Sequence, residues 1–229
     1  MPQLDPLNLD KRYKFAKMDP ELVARNQDVI DAMQLYPLEQ NAWIGGPPGT
    51  GKTHVAMCAG NRHAYNGQRV QFQRGVQLKI IAEKFSDERE EALTPIYACE
   101  LLIIDDLDKA TPTPRFLEVF WTLMDTRYKW RRRTIVTANC TPAALATQWA
   151  KVKDVNHSTI TAALDRLNPC YQFIMRADES LRRRIVQPAR LLERVSVVQP
   201  VEDVEFSNAV QEAFLRGDVR ALVKMEGVA

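Results

Sequence analysis

Gly45-Gly46-Pro47-Pro48-Gly49-Thr50-Gly51-Lys52-Thr53 follows the apolar triplet Ala42-Trp43-Ile44 and precedes Val55, Ala56 and Ala59 at helical spacing. A strand, a glycine loop and a helix in this order form the setting in which G-x-x-x-x-G-K-T, here Gly46 to Thr53, cradles phosphate. Glycines let backbone N–H groups turn inward around an anion, and the helix N-terminus adds partial positive charge. Lys52 is then expected to reach β- and γ-phosphates, and the Thr53 hydroxyl to hold Mg2+. Gly46, Pro47, Pro48, Gly49, Thr50, Gly51 and His54 complete the expected nucleotide contacts. A chance glycine-rich turn would not need the strand before it and the helix after it.

Outward from the loop, the periodicity predicts a helix over 20–36, entered through Asp19 as cap and Pro20 in the first turn. Beyond the loop it predicts a strand over 69–73, an amphipathic helix over 76–85 and a strand over 101–104 that is apolar on both faces. A helix over 116–128, a strand over 134–138, helices over 142–149 and 160–167 and a strand over 171–175 follow. Strands alternating with helices imply α/β architecture: a parallel sheet with right-handed crossovers and helices on both faces. After 184 the signal weakens; 190–198 reads as strand or helix, and 204–215 and 219–225 as helices. No internal repeat is visible.

Asp105 and Asp106 end the apolar run 101–104, where a parallel sheet delivers side chains to its carboxyl edge beside the phosphate loop. Asp105 is expected to hold Mg2+ through water, and Asp106 to orient or deprotonate an attacking water. Two aspartates capping a strand are the bland alternative. Asp108 reads as a solvated turn residue rather than a ligand. Asn139 ends the next buried strand, where an amide can bridge the attacking water and a γ-phosphate; a turn-forming asparagine before Thr141-Pro142 is the alternative.

Composition narrows the classes. The chain has 229 residues, 45% hydrophobic and 26% charged, with a net charge of +2, the balance of a globular chain large enough for a buried core. The longest apolar stretches have strand length, short of the roughly 20 residues that span a bilayer. The first residues lack the basic start and apolar run of a secretory signal, so a cytoplasmic protein without membrane contact is expected. Cys58, Cys99, Cys140 and Cys170 lie 30 or 41 residues apart, with no C-x-x-C pair. Buried, reduced thiols are expected rather than a zinc or redox site. Basic residues gather at 11–17, 127–133 and 182–184.

The series Gly46 to Thr53, Leu101-Leu102-Ile103-Ile104-Asp105-Asp106-Leu107, Thr137-Ala138-Asn139 and Leu164-Asp165-Arg166-Leu167 resembles the AAA+ ATPases of the DnaC/DnaI helicase-loader and IstB transposition-ATPase group. The resemblance covers roughly residues 12–186. It implies a P-loop NTPase three-layer sandwich, with a short C-terminal extension in place of a full lid domain. It also makes Lys52 and Thr53 the Walker A pair, Asp105 and Asp106 the Walker B pair and Asn139 sensor 1. Arg166 falls at the arginine finger, which acts on the nucleotide of a neighbouring subunit, and Arg182 at sensor 2. A surface ion pair competes for Arg166 and a solvated basic turn for Arg182. The implied cofactors are ATP and Mg2+. Most AAA+ proteins carry Glu where Asp106 stands, which implies slow or partner-stimulated hydrolysis.

The helix over 76–85 matches where initiator-type AAA+ proteins place an element that tracks single-stranded DNA. Lys79, Lys84 and Phe85 offer charge and a stacking ring, or are an ordinary solvated face. Arg131, Arg132 and Arg133, in a run with Tyr128 and Trp130, suit nucleic-acid backbones or an inter-subunit surface. Near the N-terminus, 12–15 and 26–27 occupy the region beside adenine in relatives, or simply pack the first helix. The expected organisation is an N-terminal flank over 1–36, an ATPase core over 37–186 and an extension over 187–229. Members of the group usually carry a sizeable N-terminal docking domain; here the docking element is expected in 185–229 or is absent.

The leading expectation is a replicative helicase loader, phage or mobile-element counterparts included, that hydrolyses ATP and assembles head to tail, as a ring or helical filament, on single- or double-stranded DNA. A transposition ATPase that coats target DNA and recruits a transposase is the alternative. A monomeric P-loop kinase, with an acceptor pocket and no finger, is the third.

Overall fold

The computed structural model describes residues 13–167 and 170–176. Five strands form one parallel sheet: β1 (Asn41–Gly45), β2 (Val70–Arg74), β3 (Leu101–Asp105), β4 (Arg133–Thr137) and β5 (Cys170–Ile174), in the order β2-β3-β4-β1-β5. Among the described residues eight α-helices accompany them: α1 (Pro20–Arg25), α2 (Gln27–Gln34), α3 (Lys52–Tyr65), α4 (Gly75–Ala82), α5 (Ser86–Ala98), α6 (Pro114–Lys129), α7 (Pro142–Trp149) and α8 (His157–Asp165).

Period-two alternation in the strands builds two cores. Leu101, Ile103, Ala42, Ile44 and Ile135 face α1–α3, with Leu22, Ile30, Met33 and Val55; Leu102, Ile104, Trp43 and Val136 face α4–α8, with Leu78, Ile96, Phe116, Phe120 and Trp149. Three layers result, as the resemblance implies. Burying a strand on both faces leaves no room for polar residues, so β3 reads as a continuous apolar run.

Two elements and one residue differ from the sequence reading. The helix expected over 20–36 is two helices, because Asn26, at φ −132°, turns its side chain onto other partners: Nδ2 donates to the carbonyls of Leu22 and Arg176, each at 3.0 Å, and Oδ1 accepts from the Arg176 amide at 2.7 Å. Asn26 thus ties the helix break to the chain leaving β5. The helix expected over 76–85 stops at Ala82, and α5 follows it. Acidic residues and the interior Pro95 hide α5 from a periodicity search, and only Leu93 and Ile96 are buried. The third difference is Arg127, which the sequence places in a basic surface run and which is 1% exposed. Its guanidinium donates to the carbonyls of Ile96 (2.8 Å), Cys99 (3.1 Å) and Arg133 and to Thr134 Oγ1 (3.1 Å), closing the α5 C-terminus onto β4. Carbonyl dipoles at a helix C-terminus suit a cation.

All four cysteines are free; Cys58 and Cys99 are buried, Cys140 and Cys170 half-buried. Burial pushes the Cys58 and Cys170 thiols up to about 12, which leaves them protonated and unreactive. No helix among the described residues is long and apolar enough to cross a membrane.

Candidate nucleotide site

The phosphate loop leaves β1 and enters α3 through two glycines held at positive φ, the first of them also pressed against backbone. Gly46 has φ +141°, and a Cβ there would lie 2.4 Å from the Met175 carbonyl oxygen; Gly51 has φ +84°, and its Cβ would meet Leu22 Cδ2 at 2.6 Å. The loop is therefore held between α1 and the residue that follows β5. Gly51 is also the N-cap of α3 and supplies no capping side chain, so the first-turn N–H groups have no competing internal acceptor there.

Parallel order brings three strand ends to this loop. Because β4 lies between β1 and β3, Asn139 stands between the phosphate loop and Asp105. The buried Lys52 ammonium donates to the carbonyls of Gly46 and Pro47, each at 2.8 Å, and to Asn139 Oδ1 at 3.0 Å. Thr53 Oγ1 donates to Asp105 Oδ1 at 2.7 Å, and Thr137 Oγ1 donates to the same oxygen at 2.7 Å. Burial raises the Asp105 carboxyl above its ordinary range, against the two threonine hydrogen bonds that lower it. A buried carboxylate beside a hydroxyl suits a hard dication, which needs only one or two side-chain oxygens when phosphate and water supply the rest.

Asp106 sits in the left-handed region at φ 50°, ψ 49°, and its amide donates to Thr137 Oγ1 at 2.9 Å. Such a backbone costs a non-glycine residue about 1–2 kcal/mol, so the surroundings must impose it. It frees the Asp106 side chain from the strand direction that Asp105 follows.

Three residues of the site carry no assigned role in the sequence reading. Thr137 is one; its position at the end of the buried run 134–138, two residues before Asn139, is the signal. Asp108 is the second, and it corrects the expectation of a solvated turn. Its side chain is 8% exposed and accepts from Asn139 N (3.2 Å) and Asn139 Nδ2 (2.7 Å), with Lys109 Nζ at 3.3 Å. Gly75 is the third: a Cβ there would lie 2.8 Å from Leu107 Cα and 2.9 Å from the Asp106 carbonyl oxygen, both backbone. Gly75→Ala should push the Asp106–Leu107 turn and destabilise the fold by about 1–3 kcal/mol. The melting temperature should fall by roughly 2–4 °C per kcal/mol in a chain of this size. An unchanged melting temperature would show that the turn yields freely.

The remaining predicted residues lie elsewhere. Arg166 caps α8; its Nε donates to Asp125 Oδ1 at 2.9 Å and its guanidinium covers the Tyr128 ring at 5.7 Å. The adjoining Leu167 carbonyl accepts from Asn41 Nδ2 at 2.8 Å, so this corner sits at the start of β1, whereas the phosphate loop follows its end. Five strand residues separate them, roughly 17 Å. Lys79 is half-buried on α4, Lys84 is exposed and paired with Glu88 at 3.6 Å, and Phe85 is 87% exposed. Val76 and Ile80 continue an exposed apolar face along α4. Of the three consecutive arginines only Arg131 is exposed: Arg132 pairs with Glu100 at 3.0 Å, and Arg133 Nε donates to the Leu38 carbonyl at 3.1 Å. Near the N-terminus, Tyr13 packs edge-on against His54, whose Nε2 lies 3.2 Å from the Lys14 carbonyl. Arg182 and the 187–229 extension lie outside the described residues.

Comparison with known proteins places this geometry. The chain is 34% identical over 152 residues to an insertion sequence ATP-binding protein of Sinorhizobium fredii, covering 66% of this chain and 49% of that protein. It is 32% identical over 117 residues to the ATP-binding protein of insertion sequence IS232 from Bacillus thuringiensis subsp. berliner, covering 49% of this chain and 46% of that one. The chain spans about half the length of the curated relatives it matches. Among solved structures, AMPPCP-bound DnaA from Aquifex aeolicus superposes with a TM-score of 0.60 at 19% identity, over 97% of this chain and 68% of that one, a likeness of fold. A family model described as IstB-like ATP binding protein matches residues 8–189. With the phosphate loop and the two strand-end clusters in the order this fold requires, the chain belongs to the IstB-like ATP-binding proteins and carries their AAA+ type of P-loop NTPase fold.

Proposed function

We propose that this protein hydrolyses ATP with Mg2+, assembles head to tail on DNA, and serves transposition by recruiting a transposase to the DNA it covers. The observation that carries the reading is the meeting of Lys52, Asn139, Thr53 and Asp105 through hydrogen bonds of 2.7–3.0 Å across the phosphate loop, β3 and β4. Lys52 would exchange its loop carbonyls for phosphate oxygens. Thr53 and Asp105 would hold Mg2+, which neutralises phosphate charge. Asp106 would orient the attacking water, and Asn139 would sense the γ-phosphate from the opposite side.

The placement of Arg166 supports head-to-tail assembly. At the far end of β1 from its own loop, it is badly sited for its own nucleotide, and by exchanging its Asp125 partner it would face a neighbour's. That also counts against a monomeric kinase, which must complete its site within one chain. Between the two DNA-linked readings, the insertion-sequence relatives favour transposition over helicase loading. The core over 37–186 would carry the ATP switch, the extension over 187–229 would dock the partner, and Arg182 would act as sensor 2. The cytoplasm is the compartment where such DNA is met.

DNA affinity should fall steeply with salt, because phosphate contacts release counterions. Stacking on a ring is worth about 1–3 kcal/mol per base, so Phe85→Ala should weaken single-stranded DNA binding by roughly 5-fold to 150-fold. Lys79→Ala and Lys84→Ala should lower the salt slope. Arg131→Ala is the clean probe of the basic run, since its two neighbours serve the fold. Fluorescence anisotropy against salt, with ATP present, measures all of these. Unchanged affinity in Phe85→Ala and both lysine variants would remove α4 and the turn that joins it to α5 from the DNA interface. Co-purification with a transposase rather than a replicative helicase separates the two partners; capture of the helicase alone would return the loader reading.

A further inference from the structure

We infer that Asp108 is a positioning residue of the nucleotide site: it fixes the orientation of the Asn139 amide, and through it the place of the Lys52 ammonium. The inference rests on the proposal that Asn139 senses the γ-phosphate, and adds the residue that aims it.

An asparagine amide has a donor end and an acceptor end, and either can face a given partner unless something chooses. At Asn139 the choice is made by Asp108. The carboxylate accepts twice from the same residue, from the backbone N–H at Oδ1 and from Nδ2 at Oδ2. A carboxylate has no donor to offer, so the Asn139 oxygen is forced to the other side. There it meets Lys52 Nζ at 3.0 Å. With the amide reversed, both contacts would fail together: oxygen would face carboxylate and NH2 would face ammonium. Asp108 is almost fully enclosed, and hydrogen bonds to a charged acceptor are the stronger kind.

The segment is held from behind as well. Trp43 Nε1 donates to the Cys140 carbonyl at 2.8 Å, and the Ala138 amide donates to the Ile44 carbonyl at 3.2 Å. The Asn139 backbone is therefore pinned by β1 while Asp108 sets its side chain. Asp108 reaches this position because the chain turns sharply at Asp106 and runs through a short 3-10 turn, Leu107–Lys109. The sequence D-D-x-D thus supplies three carboxylates with distinct places: one on the Thr53 hydroxyl, one at the turn, and one on Asn139.

The test compares Asp108→Asn, Asn139→Ala and the double variant in the full chain, with ATP and single-stranded DNA. Asp108→Asn keeps size and shape but substitutes a group with its own donor end, so the amide loses its imposed direction. Turnover in Asp108→Asn should fall about tenfold or more, to near that of Asn139→Ala, with ATP affinity within about threefold of wild type. The double variant should be no slower than Asn139→Ala, because Asp108 then has nothing to aim. Losses that multiply in the double variant, or full turnover in Asp108→Asn, would overturn the inference. The Asn139 side-chain amide NMR signals, assigned by their loss in Asn139→Ala, report the contact without turnover. They should shift and exchange faster with solvent in Asp108→Asn; unchanged signals would overturn the inference even in a protein that binds ATP without hydrolysing it. An inactive wild type would refute the hydrolysis proposal alone, and those signals would still decide for or against Asp108.

Discussion

Lys52→Ala should abolish nucleotide binding, whereas Asp106→Asn should bind ATP nearly as wild type and fail to hydrolyse it. The two residues stand on different parts of the site. Lys52 is buried at the first turn of α3, with its ammonium on the Gly46 and Pro47 carbonyls, so its removal takes away both the phosphate's cation and the brace of the loop itself. Each charge-assisted hydrogen bond is worth about 1.5–3 kcal/mol, so losing two or three costs binding at least about a hundredfold. Asp106 makes no hydrogen bond to Lys52 or to the loop: its backbone is held by Thr137 in a left-handed turn just past the end of β3. An amide there keeps the shape and removes the charge that orients water. Titration with a fluorescent ATP analogue, beside phosphate release, reads the two steps apart. Equal loss of ATP binding in both variants would show that Asp106 supports the loop and not the hydrolytic step.

Much of this site was legible because the chemistry of its residues forces a place in the fold. A four-residue apolar run ending in two aspartates, within an alternation of strands and helices, reads as a strand buried on both faces, and the sheet's parallel order puts its end beside the loop. Asn139 became legible for the same reason. What the sequence hid is side-chain direction. Nothing in Arg127 to Arg133 distinguishes an arginine that seals the end of α5 from one that meets solvent; the difference is made by tertiary contacts with Cys99, Glu100 and Leu38. Asp108 was misjudged because a charged residue after a strand usually turns outward, and only the 3-10 turn after Asp106 brings it back onto Asn139. Gly75 was invisible because its reason lies in the backbone of Leu107, which no local pattern reveals. The α1–α2 break had the same origin, since the partner of Asn26 is Arg176, 150 residues away.

Arg166 offers the second large effect. If it completes the active site of a neighbouring subunit, Arg166→Ala should bind ATP nearly normally and hydrolyse it poorly, by about 10³- to 10⁵-fold where such a finger acts. In the isolated chain the guanidinium is occupied by Asp125 and lies over Tyr128, so reaching a neighbour's phosphate requires leaving these partners. Asp125 is shared with Lys129 at 2.7 Å, so the carboxylate keeps a cation when Arg166 moves. That makes the departure affordable, and it predicts that Asp125→Ala leaves ATP affinity unchanged. The decisive experiment mixes two inactive proteins. A Lys52→Ala subunit keeps Arg166, and an Arg166→Ala subunit keeps its phosphate loop, so some interfaces in a mixed assembly contain both halves. Turnover against mixing ratio, at fixed total protein with DNA present, should trace a bell. The finger's effect is large enough that even a minority of repaired interfaces stands above background. A flat line, with mixed oligomers confirmed to form, would leave Arg166 as the ion pair that joins α8 to α6 and nothing more.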